Sequence, residues 1–460
     1  MKLFTAVMAV AAAAVASVNA YSDGFDLLDH TSQLNFYHPA KPVLTDAQTA
    51  LPAECEVDQV YAMARHMTRY PSNGSYNGCM KLSARIHDTI AKNGPPAAKE
   101  LQFFVGWNFS DIVPDAKSMP ENITMLGLQE GKEMGKSFRA KYAHLYNDKT
   151  TVWSGSVERV QLTAKAFMDG YFGEGKGYAN LVTSDSKDYT KGANTITPID
   201  GCPNFIKDSL ADKPTDEYLA KAGPPMVARW KALWPEFGFV DHWDVFGFMD
   251  LCMYERNIVS KDQTRICKLF TDEEWETYAY YRDIGYYYGS AYGNPLARTV
   301  GYPLVSAIAS LMTKETTPFC QNVFVGFTHD TQLSTMMSAV GIAYDKDFSS
   351  SPSRLYHSSR LVAMGSRFVT ERLKCGNKRY VRVSVNDAIH PVLDCTSGPG
   401  MSCPLEDYVT KIAAVGKEVG DFKTACNVTN LSNGASSKFE LFDKPLTSQC
   451  KPTVCPDASQ

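Results

Sequence analysis

Residues 57–71 read Val-Asp-Gln-Val-Tyr-Ala-Met-Ala-Arg-His-Met-Thr-Arg-Tyr-Pro. The run from Val57 to Ala64 is mostly apolar and partly β-branched, which is typical of a buried strand. Charged side chains begin directly after it, with Arg65, His66 and Arg69. We therefore expect a strand that delivers two guanidinium groups and one imidazole to its carboxyl end.

Two further strand-like runs are each followed by a helical pattern. Thr150 to Trp153 is a short β-like run, and Ser156 to Gly170 carries apolar residues at helical spacing. Asn322 to Phe327 is typical of a buried strand, and the helical stripe after it ends at Gly341. Strands that alternate with helices predict an α/β fold with a mixed, mainly parallel sheet flanked by helices. Ligands of such sheets bind at the carboxyl ends of the strands, so the chemistry is expected there.

The middle of the chain has a different pattern. Between residues 181 and 314 strand signals are scarce, and aromatic helical segments such as Glu274 to Tyr292 are frequent. We predict a smaller, mostly helical inserted domain there, with residues 21–180 and 315–460 forming one discontinuous α/β domain that carries the catalytic residues. The helical spacing of the tyrosines favours core packing, and lining of a substrate entrance is the alternative.

The N-terminus has the layout of a secretory signal peptide over residues 1–20. Lys2 precedes an apolar run from Leu3 to Val15, and small residues follow in a cleavage pattern that ends at Ala20. The apolar run is shorter than the ~20 residues that span a bilayer. Residues 451–460 are polar and do not resemble a lipid-anchor signal. We expect a secreted protein without a membrane anchor, in the extracellular, periplasmic or cell-wall space.

Cysteines and glycosylation triplets agree with that compartment. The 12 cysteines are an even number, which allows up to six disulfides in an oxidising environment. Five Asn-x-Ser/Thr triplets are candidate glycosylation sites, at Asn73, Asn108, Asn122, Asn427 and Asn430. Each triplet is weak by itself, and their agreement with the signal peptide is what predicts a secreted glycoprotein.

The overall charge excludes one class of partner. Lysine and arginine number 46 against 50 for aspartate and glutamate, which gives a formal net charge of −4 over 460 residues. Such a chain has no global attraction to nucleic acid. Any anion that this protein binds must be held by a local cluster of cations.

Three more side chains join the cluster at residues 65–69. His329 and Asp330 follow the strand that ends at Phe327, and Arg159 opens the helix after the strand near residue 150. Taken singly, a basic surface turn and an exposed helix arginine are plausible alternatives. Three strand ends that bring these groups to one sheet edge are more specific. Arginine forks match phosphate oxygens and a neutral imidazole is a nucleophile, so the pattern predicts a phosphate-handling site.

On these residues the chain resembles the histidine acid phosphatase family, and in length and layout its secreted fungal acid phosphatases and phytases. Arg65-His66-x-x-Arg69-x-Pro71 resembles the family signature Arg-His-Gly-x-Arg-x-Pro, and His329-Asp330 resembles its late His-Asp pair. Three more segments resemble family segments: Leu126 to Arg139, Glu158 to Gly170 and Tyr380 to Asp387. The resemblance implies a phosphoglycerate-mutase-like α/β domain. An intracellular phosphoglycerate mutase would share the first motif, but the signal peptide and the cysteines speak against it.

The resemblance also implies roles for the six side chains. His66 would attack phosphorus and form a phosphohistidine, while a protonated Asp330 would donate its proton to the leaving oxygen. The phosphate oxygens would be bound by Arg65, Arg69, Arg159 and His329. With three arginines neutralising the phosphate, we expect no metal and no other cofactor. Because a carboxyl group is protonated only near pH 4 or below, activity should favour acidic pH.

The predicted function is a secreted acid phosphatase that hydrolyses small phosphate monoesters. A phytase that prefers inositol hexakisphosphate is the alternative. Such a pocket would need further cations, and the candidates are Lys81, Arg85, Lys221, Arg229 and Lys231. A non-catalytic secreted glycoprotein is a more remote alternative, because it would not need six active-site groups. A homo-oligomer is left open.

The comparison with the family adds one departure at Met67 and one expectation about disulfides. Met67 stands where the family usually has glycine, which could reshape the pocket rim or narrow substrate choice without removing a charge. The resemblance implies four disulfides, which are Cys55–Cys375, Cys202–Cys426, Cys252–Cys267 and Cys395–Cys403. It leaves four cysteines unassigned, which are Cys79, Cys320, Cys450 and Cys455.

Overall fold

The computed structural model describes most of the chain after the predicted signal peptide. The described residues are 24–42, 44–113, 121–184, 191–205, 209–263, 265–315, 321–429 and 439. Outside them lie the signal peptide, the candidate glycosylation site Asn430 and three of the unassigned cysteines, Cys320, Cys450 and Cys455.

A central sheet organises the described part of the chain. Its strands are β1 (Cys55–Arg65), β2 (Val152–Gly155), β3 (Leu181–Ser184), β4 (Val323–Thr328), β5 (Arg367–Cys375), β6 (Lys378–Val385), β7 (Ala388–His390) and β8 (Cys403–Pro404). The strand order is β3-β2-β4-β1-β5-β6-β7, with β8 beside β6. The first four strands in this order run parallel, and the later pairs run antiparallel. The predicted mixed α/β fold is therefore confirmed, with the parallel strands carrying the predicted site.

Helices cover both faces of this sheet and extend beyond it. The α-helices are α1 (Asp46–Thr49), α2 (Asn73–Asn93), α3 (Phe109–Ile112), α4 (Met125–Lys141), α5 (Glu158–Phe172), α6 (Ser209–Leu233), α7 (His242–Ile258), α8 (Asp272–Ser290), α9 (Ala297–Met312), α10 (Asp330–Ala339), α11 (Ser358–Leu361), α12 (Leu405–Val419) and α13 (Phe422–Ala425). Within the described ranges, no helix combines the length and the apolarity needed to cross a bilayer.

β1 separates two hydrophobic cores because its successive side chains point to opposite faces of the sheet. Tyr61 and Met63 pack with residues of α9, α10 and α12 on one face. Val60, Ala62 and Ala64 pack with residues of α4 and α5 on the other. A strand buried on both faces is nearly continuous in apolar residues, which is why the sequence pattern at Val57–Ala64 predicts it well.

α4 and α5 pack with their backbones in contact, and glycine makes this contact possible. A Cβ at Gly135 would lie 2.0 Å from the carbonyl oxygen of Phe167. A Cβ at Gly127, in the first turn of α4, would lie 2.1 Å from the carbonyl oxygen of Thr68. The glycine-spaced helix therefore lies directly against the loop that follows β1.

A third core, which is rich in aromatic residues, lies among helices away from the sheet. It joins Ile86 of α2, Trp230 of α6, Phe248 of α7 and Trp275 of α8. α2 precedes the predicted inserted domain in sequence, whereas β3, inside the predicted residues 181–314, pairs with β2 in the sheet. α9 packs on α10 and α12 beside the sheet. The division of the chain into the two predicted domains stays a prediction.

The covalent links match the pairs that the resemblance implies. The structure contains Cys55–Cys375, Cys202–Cys426, Cys252–Cys267 and Cys395–Cys403. The first of these joins the start of β1 to the end of β5 across the register pair Cys55 and Cys375. Cys79 is buried with a free thiol, so the 12 cysteines of the chain allow at most five disulfides in this structure and not six.

Candidate active site

The six predicted site residues meet at the carboxyl edge of the parallel strands. Arg65 is the last residue of β1, and it stands in register with Thr328, the last residue of β4. His329 caps α10 and Asp330 is its first residue. The His66 main-chain N–H donates to the carbonyl oxygen of Thr328 at 3.1 Å. The ring centroids of His66 and His329 are 5.7 Å apart. The neighbouring ends of β1 and β4 thus place both histidines together.

His66 is buried and its tautomer is fixed by a backbone contact. Its Nδ1 lies 2.9 Å from the carbonyl oxygen of Met67. Because a carbonyl oxygen can only accept, Nδ1 carries the hydrogen and Nε2 keeps a lone pair. Burial holds the pKa of His66 well below its usual value, and the charges of Arg65 and Arg159 lower it further. The imidazole is therefore neutral at acidic pH, as a nucleophile must be.

Arg65 is a buried cation with several partners. Its Nη1 donates to the carbonyl oxygens of Gln33 at 2.6 Å and Val362 at 2.7 Å. Its Nη2 lies 2.8 Å from Oδ2 of Asp330. These contacts fix the guanidinium plane, and the neighbouring carboxylate compensates its charge.

The three arginines share a feature at their Nε atoms, which Arg282, Arg367 and Arg379 also show. The Nε atoms of Arg65, Arg69 and Arg159 are buried and have no hydrogen-bond partner among the described residues. Other atoms of all three groups are engaged: besides the Arg65 contacts given above, Nη1 of Arg69 donates to the Tyr70 carbonyl at 2.8 Å, and Nη1 of Arg159 donates to Glu121 at 2.9 Å. Buried donors of this kind are costly unless an acceptor reaches them. A phosphate group, with several acceptor oxygens and two negative charges, suits these donors.

Like charges crowd one another at this site. Burial lowers the pKa of Arg159, and the neighbouring charge of Arg69 lowers it further. Arginine nevertheless remains protonated in proteins. The cluster is therefore held positive by the fold, and it attracts an anion from solution.

Asp330 is the carboxylate of the site, and three donors hold it. Its Oδ2 accepts from Nη2 of Arg65 and from the hydroxyl of Tyr286, each at 2.8 Å. Its Oδ1 accepts from the main-chain N–H of Thr331 at 2.8 Å. Burial raises the pKa of Asp330, but the Arg65 charge and the Tyr286 hydrogen bond outweigh burial and hold the pKa below its usual value.

Tyr286 and Thr163 contact the predicted site residues or their loop, and the sequence does not predict either contact. Tyr286 lies in the aromatic helix α8, where helical spacing predicts core packing more strongly than the lining of an entrance. The Thr163 hydroxyl accepts from the Met67 main-chain N–H at 3.0 Å and donates to the Arg159 carbonyl at 2.9 Å. It thus ties the loop of His66 to α5. Helical spacing could have shown that Thr163 shares a face with Arg159, but not that it reaches the loop.

Met67 is a buried loop residue rather than a rim residue. Its side chain is 1% exposed and lines a cavity of about 330 Å³ together with Tyr37, Met134 and Arg367. Its backbone carbonyl oxygen accepts from Nδ1 of His66, and its backbone N–H donates to the hydroxyl of Thr163. The side chain that stands in place of the family glycine is therefore buried beside the loop that carries His66.

The five additional basic candidates divide into two groups. Arg85 donates to Asp244 at 2.5 Å and to the carbonyl oxygen of Gly238 at 2.7 Å. Arg229 forms two hydrogen bonds to Glu274, at 2.5 and 2.6 Å. The remaining three are exposed, and they are Lys81, Lys221 and Lys231. The two arginines are therefore committed to contacts within the helical region.

A small cavity lies next to Asp330. It has a volume of about 250 Å³, and residues of α8 line it with Thr331 of α10. Those residues are Tyr281, Arg282, Gly285, Tyr286, Gly289 and Ser290.

A family comparison agrees with this geometry. The sequence model of the histidine phosphatase superfamily (branch 2) matches residues 56–386, a range that includes all six site residues. The chain belongs to this superfamily. The fold of a branch-2 histidine phosphatase accounts for the position of its first motif after β1 and of its late His-Asp pair after β4.

Individual histidine phosphatases are similar over most of the chain. The repressible acid phosphatase of Kluyveromyces lactis is 30% identical over 406 residues, which cover 85% of this chain and 84% of that protein. The phytase PHO112 of Candida albicans is 30% identical over 419 residues, which cover 86% and 87%. The crystal structure of the phytase from D. castellii superimposes with a TM-score of 0.80 at 28% identity, covering 91% of this chain and 90% of that one.

Proposed function

We propose that this protein is an acid phosphatase that hydrolyses phosphate monoesters through a phosphohistidine at His66. One observation carries the proposal: a neutral, buried His66 lies among three arginines whose buried Nε donors are unpartnered within the described part of the chain. The names of the relatives, an acid phosphatase and two phytases, support the same reaction class.

In the first step the cation cluster binds the phosphate group. Arg65, Arg69 and Arg159 offset the charge that would repel a nucleophile, and His329 adds a further donor. The Nε2 lone pair of His66 forms a bond to phosphorus while the bond between phosphorus and the ester oxygen breaks. Asp330 gives its proton to that oxygen, which leaves as an alcohol.

In the second step water removes the phosphoryl group from His66. The Asp330 carboxylate, now without its proton, accepts a proton from the attacking water. The bond between phosphorus and Nε2 breaks, its electron pair returns to the imidazole, and inorganic phosphate leaves. Asp330 ends the cycle protonated, so the same carboxyl group acts as acid and then as base.

This scheme has a definite pH dependence. Asp330 must be protonated for the first step, and its neighbours favour the carboxylate. Raising the pH therefore removes the active form, and turnover is expected to be fastest at acidic pH. His66 does not limit the acidic side strongly, because its pKa is held well below the usual value.

We place the enzyme outside the cell. Residues 1–20 have the layout of a signal peptide, and an oxidising compartment agrees with the disulfides Cys55–Cys375, Cys202–Cys426, Cys252–Cys267 and Cys395–Cys403. Asn73 and Asn427 are exposed, whereas Asn108 and Asn122 are half-buried. The exposed pair are the stronger glycosylation candidates among the described sites.

Phytase activity is the second candidate. It is favoured by the D. castellii phytase, which superimposes over most of both chains. It is weakened by Arg85 and Arg229, because both pair with carboxylates instead of facing a polyphosphorylated substrate. We therefore propose a general phosphomonoesterase first and a phytase second.

The test is phosphate release by the purified mature protein from p-nitrophenyl phosphate and from phytate, from acidic to alkaline pH. We expect release from p-nitrophenyl phosphate that is fastest in acid, and release from phytate that is no faster. A clear preference for phytate would reverse the order of the two candidates. A rate on phytate, whose alcohol leaving groups need a proton, that stays flat into alkaline pH would contradict the role of Asp330. No release from either ester would contradict the proposal.

A further inference from the structure

α8 brings a tyrosine hydroxyl to Asp330, the proposed proton donor. Tyr286 donates to Oδ2 of Asp330 at 2.8 Å, and the two residues are 44 positions apart in sequence. Its ring lines the cavity of about 250 Å³ beside Thr331. The remaining length of α8 serves other purposes: Tyr278 donates to Asp250, and Tyr287 donates to the carbonyl oxygen of Asp345. Tyr286 is thus the tyrosine of this helix that contacts the catalytic carboxylate.

The two oxygens of Asp330 have different surroundings. Oδ2 accepts from Arg65 and from Tyr286, which occupy both of its lone-pair directions. Oδ1 accepts from one donor, the main-chain N–H of Thr331. A proton placed on Oδ2 would displace one of two donors, whereas Oδ1 retains a second lone pair in this hydrogen-bond pattern.

Resting on the phosphatase function proposed above, we propose that Tyr286 is a positioning residue: its hydroxyl, with the Arg65 guanidinium, holds Oδ2 of Asp330 so that Oδ1 carries the proton for the leaving group. The proton moves from Oδ1 to the ester oxygen as its bond to phosphorus breaks. In the second step Oδ1 takes the proton back from water. Tyr286 itself gives up no proton in either step.

The arginines and tyrosines around Asp330 keep their ionisation state over the pH range in which Asp330 titrates, so the effect of Tyr286 on the pKa of Asp330 can be measured. The groups that face the carboxylate are Arg65 from β1, Arg159 from α5, Tyr286 from α8, Tyr356 from the loop before α11 and the adjacent His329. Arginine keeps its charge at all relevant pH values. Burial raises the pKa of Tyr286 well above its usual value, and the Asp330 charge raises it further, so this hydroxyl remains a donor. Burial likewise raises the pKa of Tyr356, so it stays neutral.

The sign of the expected shift follows from the donor. A hydrogen bond from Tyr286 stabilises the charged form of Asp330 and not its protonated form. Its removal therefore makes the carboxyl group hold its proton to higher pH. The basic limb of the kcat profile, which reports this acid in the enzyme–substrate complex, is expected to move upward by about one pH unit.

The experiment measures kcat against pH for the wild type, Tyr286→Phe and Tyr287→Phe, with glycerol 2-phosphate as the substrate. Tyr287→Phe is the matched control, because it removes a hydroxyl from the next residue of α8 that donates to Asp345 instead. We expect the basic limb to move upward in Tyr286→Phe and to stay in place in Tyr287→Phe. A uniform loss of kcat without a shift, or an equal shift in both variants, would overturn the proposal.

A second variant covers the case in which Tyr286→Phe does not fold. Tyr286→Met also removes the hydroxyl, with a flexible side chain that adapts to irregular space, and it should move the limb in the same direction. An unmoved limb in this variant would overturn the proposal as well. The wild-type enzyme distinguishes failure of the two proposals. No turnover by the wild type contradicts the phosphatase function. Turnover by the wild type, with an unshifted basic limb in the Tyr286 variants, contradicts only the role of Tyr286.

Discussion

The sheet edge and the helical region treat their arginines in opposite ways. In the helical region, Arg229 forms two hydrogen bonds to Glu274, and Arg85 pairs with Asp244. At the sheet edge, three guanidinium groups and two histidines gather around the buried carboxylate of Asp330, and Glu121 contacts Arg159 from a half-exposed position. The charges of these two helical-region arginines are balanced by carboxylates, whereas the sheet edge has a positive excess.

The net charge of this chain is almost neutral, so the local balance of buried charges, and not the overall charge, indicates where an anion can bind. A buried charge that is paired with a partner contributes to a defined fold. A buried cation cluster without enough anions is held together against its own repulsion by the surrounding fold, and it gains its missing acceptors when an anion binds. We therefore propose that the substrate binds at the excess charge at the ends of β1 and β4, and that the balanced pairs stabilise the scaffold.

The largest expected effect comes from replacing one histidine in each region. His66→Ala removes the nucleophile and should lower kcat by at least about a thousandfold. His87→Ala is the control: its ring contacts the carbonyl oxygen of Trp107 in the helical region, and kcat should stay within about twofold. Steady-state kinetics on p-nitrophenyl phosphate decides this, and substantial turnover by His66→Ala would break the comparison.

A smaller effect is expected from Asp330→Asn, and it should depend on the leaving group. General acid catalysis contributes roughly a hundredfold to ten-thousandfold, which applies fully to an alkyl phosphate. A nitrophenolate leaves without a proton, so the loss on p-nitrophenyl phosphate should be smaller. Measuring kcat/KM, which covers the steps up to departure of the alcohol, for glycerol 2-phosphate and p-nitrophenyl phosphate gives the ratio, and equal losses in kcat/KM on both would argue against Asp330 as the acid.

Replacing one arginine from each region sharpens the comparison directly. Arg159→Met should lower kcat/KM by roughly a hundredfold, because one donor to the phosphate is lost, with little change in unfolding free energy. Arg229→Met should leave kcat/KM nearly unchanged. It leaves the buried Glu274 without its partner, and should lower the unfolding free energy by about 3 kcal/mol. Kinetics and urea unfolding are measured on both variants, and the opposite assignment of losses would refute the distinction.

The smallest expected effect concerns an exposed lysine. Lys81 is exposed on α2, and surface substitutions usually change stability by less than about 0.5 kcal/mol. Lys81→Ala should leave kcat/KM for p-nitrophenyl phosphate unchanged and alter that for phytate by less than about twofold. A selective loss on phytate would show that the helical region contributes to substrate binding after all.

Much of the site could be predicted because its charged residues follow strands with strong apolar patterns. The run at Val57–Ala64 and the run at Asn322–Phe327 are buried on both faces, so their ends could be read within one or two residues. β3 is not predicted from the sequence, because it lacks a long, fully buried apolar run. It has four residues at the edge of the sheet, of which Leu181 and Val182 are only half-buried, and it gives little periodic signal.

The contacts that tune the site could not be read from sequence. Tyr286 reaches Asp330 across 44 residues, Thr163 reaches Met67 across 96, and Glu121 reaches Arg159 across 38. Each of these side chains is ordinary in its local pattern, and only the packing of α8, α5 and α4 around the sheet edge brings it to its partner. Local periodicity places elements, whereas these pairings depend on tertiary packing.

The central claim is that the positive excess at the sheet edge serves phosphoryl transfer to His66, and a trapped intermediate tests it most directly. Asp330→Asn should accept the phosphoryl group from p-nitrophenyl phosphate but lose the base that activates water, so the intermediate should accumulate. Rapid quenching and peptide mass spectrometry are then applied to the fragment that contains His66. The account predicts one added phosphoryl group on His66. Turnover without this group, or the group on another residue, would contradict it.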